Sequence, residues 1–184
     1  VVVIRPRRAS TAPAAAPAAA PAASVPLTDL PYVFTCPSDA AGLEELMALA
    51  GPVVDRQREL LHRLLAGHHT RLKEANKAKL TTLAGLLIDR LLALADTPPS
   101  PEAVEASTPA ALMQPLCPAL YTICEQLPVP CALVIIERLV EARTAWRTAR
   151  RDAPGRKRPN VSLSPPSLAL VALCVQLFSL SDFR

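Results

Sequence analysis

Glycine is scarce in this 184-residue chain, and its scarcity excludes the common phosphate-binding loops. Only five glycines occur, at positions 42, 51, 67, 85 and 155. The dinucleotide-binding turn G-x-G-x-x-G and the P-loop both need glycines a few residues apart, so that backbone amides can approach the phosphates. No two of these glycines are spaced in that way, so the sequence predicts neither kind of nucleotide site.

Residue combinations that carry catalysis or bind metals are also missing. The only histidines are His62, His68 and His69, and neither H-E-x-x-H nor C-x-x-C accompanies them. There is no G-x-S-x-G nucleophile elbow, and no base stands beside Cys36 or Cys124 to activate it. We expect no catalytic residue, no metal site and no cofactor. His69 is expected to cap a helix carbonyl in a turn.

The cysteines are odd in number, which does not fit a secreted disulfide framework. They are Cys36, Cys117, Cys124, Cys131 and Cys174. Four lie in apolar or helical surroundings, so we expect buried free thiols in a reducing compartment. The seven-residue spacing from 117 to 131 is expected to be accidental, because prolines at 118, 128 and 130 interrupt any helix that would align the thiols.

Long apolar runs are absent too. The most apolar run, 168–175, has eight residues, and even when extended to 180 it is shorter than the roughly 20 residues that span a bilayer. No membrane partner is therefore expected. The chain opens on Val1 instead of methionine, and we expect it to be a fragment or a renumbered piece of a protein.

Positive charge is concentrated in two short stretches. The chain has 20 Lys and Arg against 16 Asp and Glu, a net charge of +4. Arg5, Arg7 and Arg8 contribute +3 and the stretch 150–158 contributes +4, so the remaining segments together are net −3. Basic tails and loops on a mildly acidic body are typical of contact with a polyanion through flexible segments.

Residues 1–29 are rich in alanine and proline. Pro13, Pro17 and Pro21 recur every fourth residue, and each removes a backbone donor and clashes with the preceding turn. We therefore expect an extended linker at 1–29 and a helical region at 30–184. Within that region, 96–109 is predicted to be a proline-rich solvated insertion and 150–160 a basic loop.

The rest of the chain shows helical periodicity and no strand pattern of comparable length. In the longest predicted helix, Leu80, Leu83, Leu87, Leu91 and Leu94 form one stripe. Helices are predicted at 39–50, 52–66, 73–95, after 109 up to 127, 131–149 and 167–179. Six helices with wide apolar faces predict an all-α fold in which antiparallel helix pairs stack as a HEAT-like α-solenoid.

Local signals predict where helices begin and end. Ser38 is expected to cap the first helix, and Gly51 followed by Pro52 to end it and start the second. Prolines at 115 and 118 are expected to delay or kink the fourth helix, and those at 128 and 130 to form a short connection.

The fifth predicted helix has an apolar face that we assign to the core. Its members are Leu133, Ile136, Leu139, Val140 and Trp146. Trp146 could instead anchor a partner, but its place on the apolar stripe favours core packing.

The basic loop after this helix is the strongest functional signal. Five residues are predicted to contact RNA phosphates: Arg150, Arg151, Arg156, Lys157 and Arg158. The loop has no aromatic residue for base stacking, so the contact would be with the RNA backbone and strongly salt-dependent. A nuclear localisation signal is a second interpretation. In a third, Arg150 and Arg151 only complement the helix dipole.

Four stretches occur in the order and spacing of a known family. They are Leu30-Pro31-Tyr32-Val33-Phe34 with Cys36-Pro37; His68-His69 with Leu72, Asn76-Lys77 and Lys79-Leu80; Leu86-Leu87-Ile88-Asp89; and Pro166-Ser167-Leu168 with Leu177-Phe178 and Ser181-Asp182-Phe183-Arg184. Over about 30–184 the chain resembles the nucleolar protein fourteen family of small-subunit processome assembly factors. The alanine- and proline-rich tract and the insertion after Asp96 depart from the family pattern.

The resemblance implies a non-enzymatic helical-repeat scaffold of the nucleus and nucleolus, needed for maturation of small-subunit rRNA. The partners that it implies are pre-rRNA within a large ribonucleoprotein, nucleolar complex protein four, an Emg-type pseudouridine methyltransferase and other processome proteins. It supplies no catalytic residue, and no small-molecule substrate is expected.

Two other functions stay open at this point. The chain could be a nuclear helical adaptor that binds only proteins, with its basic loop serving nuclear import. It could also belong to an all-α enzyme whose active site lies outside this sequence.

Overall fold

The computed structural model describes residues 30–98, 108–152 and 162–178, and its regular elements are helices. These are α1 (Ala40–Ala50), α2 (Val54–Gly67), α3 (Ala75–Asp96), α4 (Pro109–Met113), α5 (Leu116–Gln126), α6 (Pro128–Asp152) and α7 (Pro165–Leu177). With no strand in the described ranges, the all-α class is confirmed. The predicted linker 1–29 and most of the insertion lie outside these ranges. None of the described helices is long and apolar enough to cross a bilayer.

The centre of the helical assembly is α3, which contacts α4, α5, α6 and α7. Four leucines of its predicted stripe, at 80, 83, 87 and 91, are buried, and Leu94 packs partly buried against the same core. Ile88, beside that stripe, is buried as well. A helix with apolar residues on several sides must be covered from several sides, and the neighbours of α3 do so.

The first helix follows its predicted pattern except at its cap. The four predicted core residues, Leu43, Leu46, Met47 and Ala50, are all buried. The capping side chain is Asp39, whose Oδ1 accepts the backbone N–H of Gly42 at 2.7 Å. The prediction of Ser38 as the cap is therefore wrong by one residue, because the extended backbone lasts until Asp39.

A glycine turn ends α1 as predicted. The backbone N–H of Gly51 donates to the carbonyls of Met47 and Ala48, both at 3.1 Å. Gly51 has φ 67° and ψ −164°, a combination that side chains with a Cβ almost never adopt. The turn therefore depends on glycine at this position.

We expect Gly51→Ala to lower the free energy of unfolding by about 1–3 kcal/mol through backbone strain alone. A Cβ at this position meets nothing within 4 Å, so no steric clash contributes. Gly67→Ala is the matched control, because Gly67 ends α2 and its added Cβ also meets nothing. In the helix, alanine should be neutral or stabilising by up to about 1 kcal/mol. Equal urea midpoints for the two variants would contradict the strain at Gly51.

Prolines shape the helices after α3. Pro115 separates α4 from α5, which confirms the predicted interruption. Pro128 and Pro130 were predicted to form a connection, but both lie in the first turn of α6, and only Leu127 separates α5 from α6. Proline is tolerated there because the first backbone amides of a helix have no partner within it.

The buried face of α6 differs from the predicted one. Leu133, Ile136 and Val140 are 62%, 53% and 55% exposed, whereas Cys131 and Ile135 are each 1% exposed. The assignment of the first three to the core is therefore wrong. Residues 132–136 are apolar without a break, so spacing alone fits more than one face of this helix.

Contacts with α3 select the buried face of α6. Arg138 makes a two-pronged ion pair with Asp89, with Nε–Oδ1 at 2.7 Å and Nη2–Oδ2 at 3.0 Å. Val134 on α6 also lies beside Gly85 on α3. In each of these two contacts the α6 residue follows its α3 partner by 49 residues, so the two helices run parallel here. Leu139 is half-buried at the edge of this contact.

Candidate nucleic-acid interface

The last turn of α6 carries the described part of the predicted RNA-contact set. Arg150 and Arg151 are exposed there, and α6 continues to Asp152, three residues beyond the predicted end of the helix. These two arginines are thus fixed on a helix instead of lying in a loop. Arg156, Lys157 and Arg158 fall outside the described residues.

A stacking contact orients Arg150. Its guanidinium carbon lies 5.2 Å from the centroid of the Trp146 ring, within the range of a cation–π interaction. Trp146 is half-buried and, with Leu163 and Val171, borders a cavity of about 180 Å³ between α6 and α7. The tryptophan therefore supports the α6–α7 boundary and the arginine above it, at the edge of the core.

Two further arginines extend this basic surface toward the middle of α6. Arg143 and Arg147 precede Arg151 by eight and four residues, so the three share one face of the helix. All three are exposed, and none has an ion-pair partner within the described ranges. The sequence analysis did not assign Arg143 and Arg147 to the interface, although basic residues four apart along a predicted helix indicate a shared basic face.

The helix dipole accounts for only part of this arrangement. Arg150 and Arg151 complement the partial negative charge of the α6 C-terminus, but that effect falls off within the last turn. Arg143 and Arg147 lie further from the end, so the dipole gives no reason for them. The only aromatic residue of α6, Trp146, already stacks on Arg150. The surface therefore suits anionic groups better than nucleobases.

The histidines near the end of α2 have structural roles. His68 Nδ1 donates to the Leu64 carbonyl at 2.9 Å, and His69 Nδ1 accepts the backbone N–H of Arg71 at 3.1 Å. The carbonyl cap predicted for His69 is thus made by His68. Among the residues that the structure describes, no cluster of three or more His, Cys, Asp and Glu side chains could hold a metal ion.

A cavity of about 410 Å³ lies between α2 and α5. It is lined by His62 and His69 together with mainly apolar side chains, and its lining contains no carboxylate, thiol or lysine. Its one hydroxyl, on Thr122, donates to the carbonyl of Pro118 at 3.0 Å. A nucleophile activated by a base is therefore not formed in this cavity.

All five cysteines are free thiols, and Cys124 and Cys131 are buried. Burial raises the pKa of the Cys36 and Cys117 thiols. A hydrogen bond with Cys131, together with burial, raises the pKa of Cys124. The seven-residue spacing does bring Cys124 and Cys131 together across the α5–α6 connection. Thiols with raised pKa values are protonated at neutral pH and poorly nucleophilic.

Comparison with known proteins gives one family. Residues 6–184 match a model of the Nop14-like family. The chain belongs to this family. The predicted resemblance is confirmed, and the match begins 24 residues earlier than the predicted 30–184. Nop14-like proteins are nucleolar ribosome-biogenesis factors, generally non-enzymatic, that associate with pre-ribosomal RNA–protein complexes. No curated protein and no solved structure matches the chain.

Residues from the stretches that carry the Nop14-like resemblance fix the helices to one another. Arg63 on α2 donates to the Leu30 carbonyl at 2.8 Å and stacks on Tyr32, 4.9 Å from the ring centroid. The buried Asn76 donates to the His69 carbonyl at 3.1 Å, which ties α3 to the preceding turn. These positions of the Nop14-like chain are therefore structural, and the exposed arginines lie separately on α6.

Proposed function

We propose that this chain is a non-enzymatic scaffold of the pre-ribosome that binds assembly factors through helix faces and pre-rRNA phosphates through basic segments. Family membership supports the role in ribosome biogenesis. The RNA contact is inferred from the two arginines in the last turn of α6. Arg150 and Arg151 are exposed there and have no ion-pair partner among the described residues. Only the four residues 152–155 separate them from Arg156, Lys157 and Arg158 in the sequence.

The chemistry of this segment is that of phosphate binding. Arginine donates several hydrogen bonds in a planar fork that matches phosphate oxygens. Each phosphate neutralised by such a residue releases condensed counterions, so affinity falls steeply as salt rises. Since no unstacked aromatic ring is present on α6, the contact would position the scaffold on RNA without reading its sequence.

The finer assignment within ribosome biogenesis follows the resemblance. The scaffold acts in the small-subunit processome during maturation of small-subunit rRNA. Its protein partners include nucleolar complex protein four and an Emg-type pseudouridine methyltransferase. In this proposal, residues 1–29 are an extended linker. The helices form part of a HEAT-like solenoid, which is built from closely connected helix pairs. The one-residue connection between α5 and α6 favours such a pair.

The test is purification of the tagged full-length protein from nuclei, followed by identification of bound RNA and proteins at low and high salt. We expect pre-rRNA and processome proteins. With purified full-length protein and a small-subunit pre-rRNA fragment, the triple variant Arg156→Gln, Lys157→Gln, Arg158→Gln should weaken binding. It should also flatten the slope of log affinity against log salt by about 2. Neutralising the exposed Arg71, Lys73 and Lys79 removes the same charge elsewhere and should leave the slope nearly unchanged.

The outcomes separate the proposal from its alternative. A slope that is unaltered in the triple variant would remove 156–158 from the RNA contact. Nuclease-resistant assembly with proteins and no pre-rRNA, combined with loss of nuclear signal when the loop is deleted, would favour a protein-only adaptor whose basic loop serves import.

A further inference from the structure

The side of α6 that faces away from the core carries a second apolar stripe. Val129, Leu133, Ile136 and Val140 are each more than half exposed, and they are spaced by four, three and four residues. At 100° per residue these side chains lie close to one line along the helix, opposite the buried Cys131. We name these four residues the outer stripe.

Two arginines continue the outer stripe along the same line. Arg143 and Arg147 follow Val140 by three and seven residues, so the alternation of three and four runs unbroken from Val129 to Arg147. At 1.5 Å per residue this surface is about 27 Å long. Alternating spacings of three and four are the pattern by which two helices pack side by side. The surface therefore has an apolar end and a basic end on one helix-binding line.

The apolar end does not suit RNA. Its residues are aliphatic, and base recognition on protein surfaces relies on stacking against aromatic rings or arginine planes. Glu137 is exposed along the same part of α6, and its carboxylate would repel phosphates. Aliphatic side chains at helix-packing spacing are instead desolvated by apolar side chains of another helix.

We propose that the outer stripe, with Arg143 and Arg147, docks one amphipathic helix of a partner protein. Apolar residues of that helix, spaced by three and four, face the outer stripe, and its Asp or Glu side chains face Arg143 and Arg147. This inference rests on the proposed scaffold function and specifies the surface and the chemistry for one of its protein partners.

Charge complementarity selects this occupant over a second copy of the chain. In a parallel pair of α6 helices, Arg143 and Arg147 would oppose the same arginines of the other copy. In an antiparallel pair they would oppose the apolar outer stripe. Neither arrangement places a carboxylate against them along this line, whereas an acidic partner helix does.

The first test places a photo-crosslinking residue, p-benzoylphenylalanine, at position 136 of the tagged full-length protein. The particle is purified from nuclei after irradiation, and the crosslinked segment is sequenced by mass spectrometry. We expect a protein segment with apolar residues spaced by three and four and with Asp or Glu at one end. The same residue at Leu168, exposed on α7, is the control and should capture a different segment. A crosslink to RNA or to a second copy, or none above background, would overturn the proposal.

The second test reverses charge on both sides of the contact. Binding of the purified full-length protein to a peptide with the captured sequence should weaken by about tenfold or more in the double variant Arg143→Glu, Arg147→Glu. Changing the acidic residues of the peptide to Lys should restore most of that loss. The control variant Arg71→Glu, Lys73→Glu should change affinity by less than about threefold. Equal affinity for the double variant, or no recovery with the Lys peptide, would overturn the charged half of the contact.

These tests fail independently of the proposed function. Both substituted arginines are exposed, so the double variant should keep its thermal midpoint. The RNA contact of the proposed function is measured separately, with the triple variant at 156–158. Loss of pre-rRNA from the unsubstituted protein would refute the ribosome-biogenesis scaffold. Normal pre-rRNA with no partner helix on α6 would refute only this inference.

Discussion

Leu87→Ala should lower the free energy of unfolding by about 2–5 kcal/mol. Leu87 is fully buried in the middle of α3, the helix that contacts α4, α5, α6 and α7. Removing its side chain forfeits the burial of the lost methyl groups and leaves a cavity that four neighbouring helices cannot easily collapse. Since a domain has only about 5–15 kcal/mol of net stability, this loss is a large share of the total.

The measurement is a urea titration followed by circular dichroism, with the midpoint and the slope fitted separately. An unchanged slope with a lower midpoint would assign the loss to stability and not to a change in compactness. Leu168→Ala on α7 is the matched control, because Leu168 is 54% exposed. It should change stability by no more than about 0.5 kcal/mol. If both variants unfolded at the same midpoint, α3 would not be the centre of the core.

The sequence predicted helices best where apolar residues leave little choice of face. In α1, Glu44 and Glu45 lie outside the face of Leu43 and Met47, so periodicity identifies the buried side. In α6, residues 132–136 are all apolar, and local spacing fits several faces equally. The Arg138–Asp89 ion pair contributes to the choice, and its partner is 49 residues away, beyond the reach of any local pattern.

The candidate site was predictable to a similar extent. Arg150 and Arg151 are predictable because they are adjacent in sequence and only four residues separate them from another basic run. Arg143 and Arg147 were missed because other residues separate them, although the helix aligns them with Arg151. A search for basic residues spaced by four along the predicted helix would have included Arg143 and Arg147. The family resemblance rests on stretches in which Leu30, Tyr32 and Asn76 make contacts within the fold, so it gave no guide to the binding surface.

One helix carries the separate roles that we propose for this surface. The inner side of α6 is fixed to α3 by Arg138, the outer stripe faces a partner helix, and the last turn bears Arg150 and Arg151. Because a helix is a rigid element, the distance between a docked protein and a bound phosphate backbone would be fixed. A scaffold needs such fixed spacing, and separate flexible segments would not provide it.

The register of α6 decides whether the outer stripe exists, and two neighbouring isoleucines test it directly. Ile135→Ala should lower the free energy of unfolding by about 2–5 kcal/mol, because Ile135 is 1% exposed against the core. Ile136→Ala removes the same atoms from a side chain that is 53% exposed, and should change stability by no more than about 0.5 kcal/mol. Both variants share the same helix and the same change in helix propensity, so their difference isolates burial. The opposite order of midpoints would restore Ile136 to the core and remove the outer stripe as a docking surface.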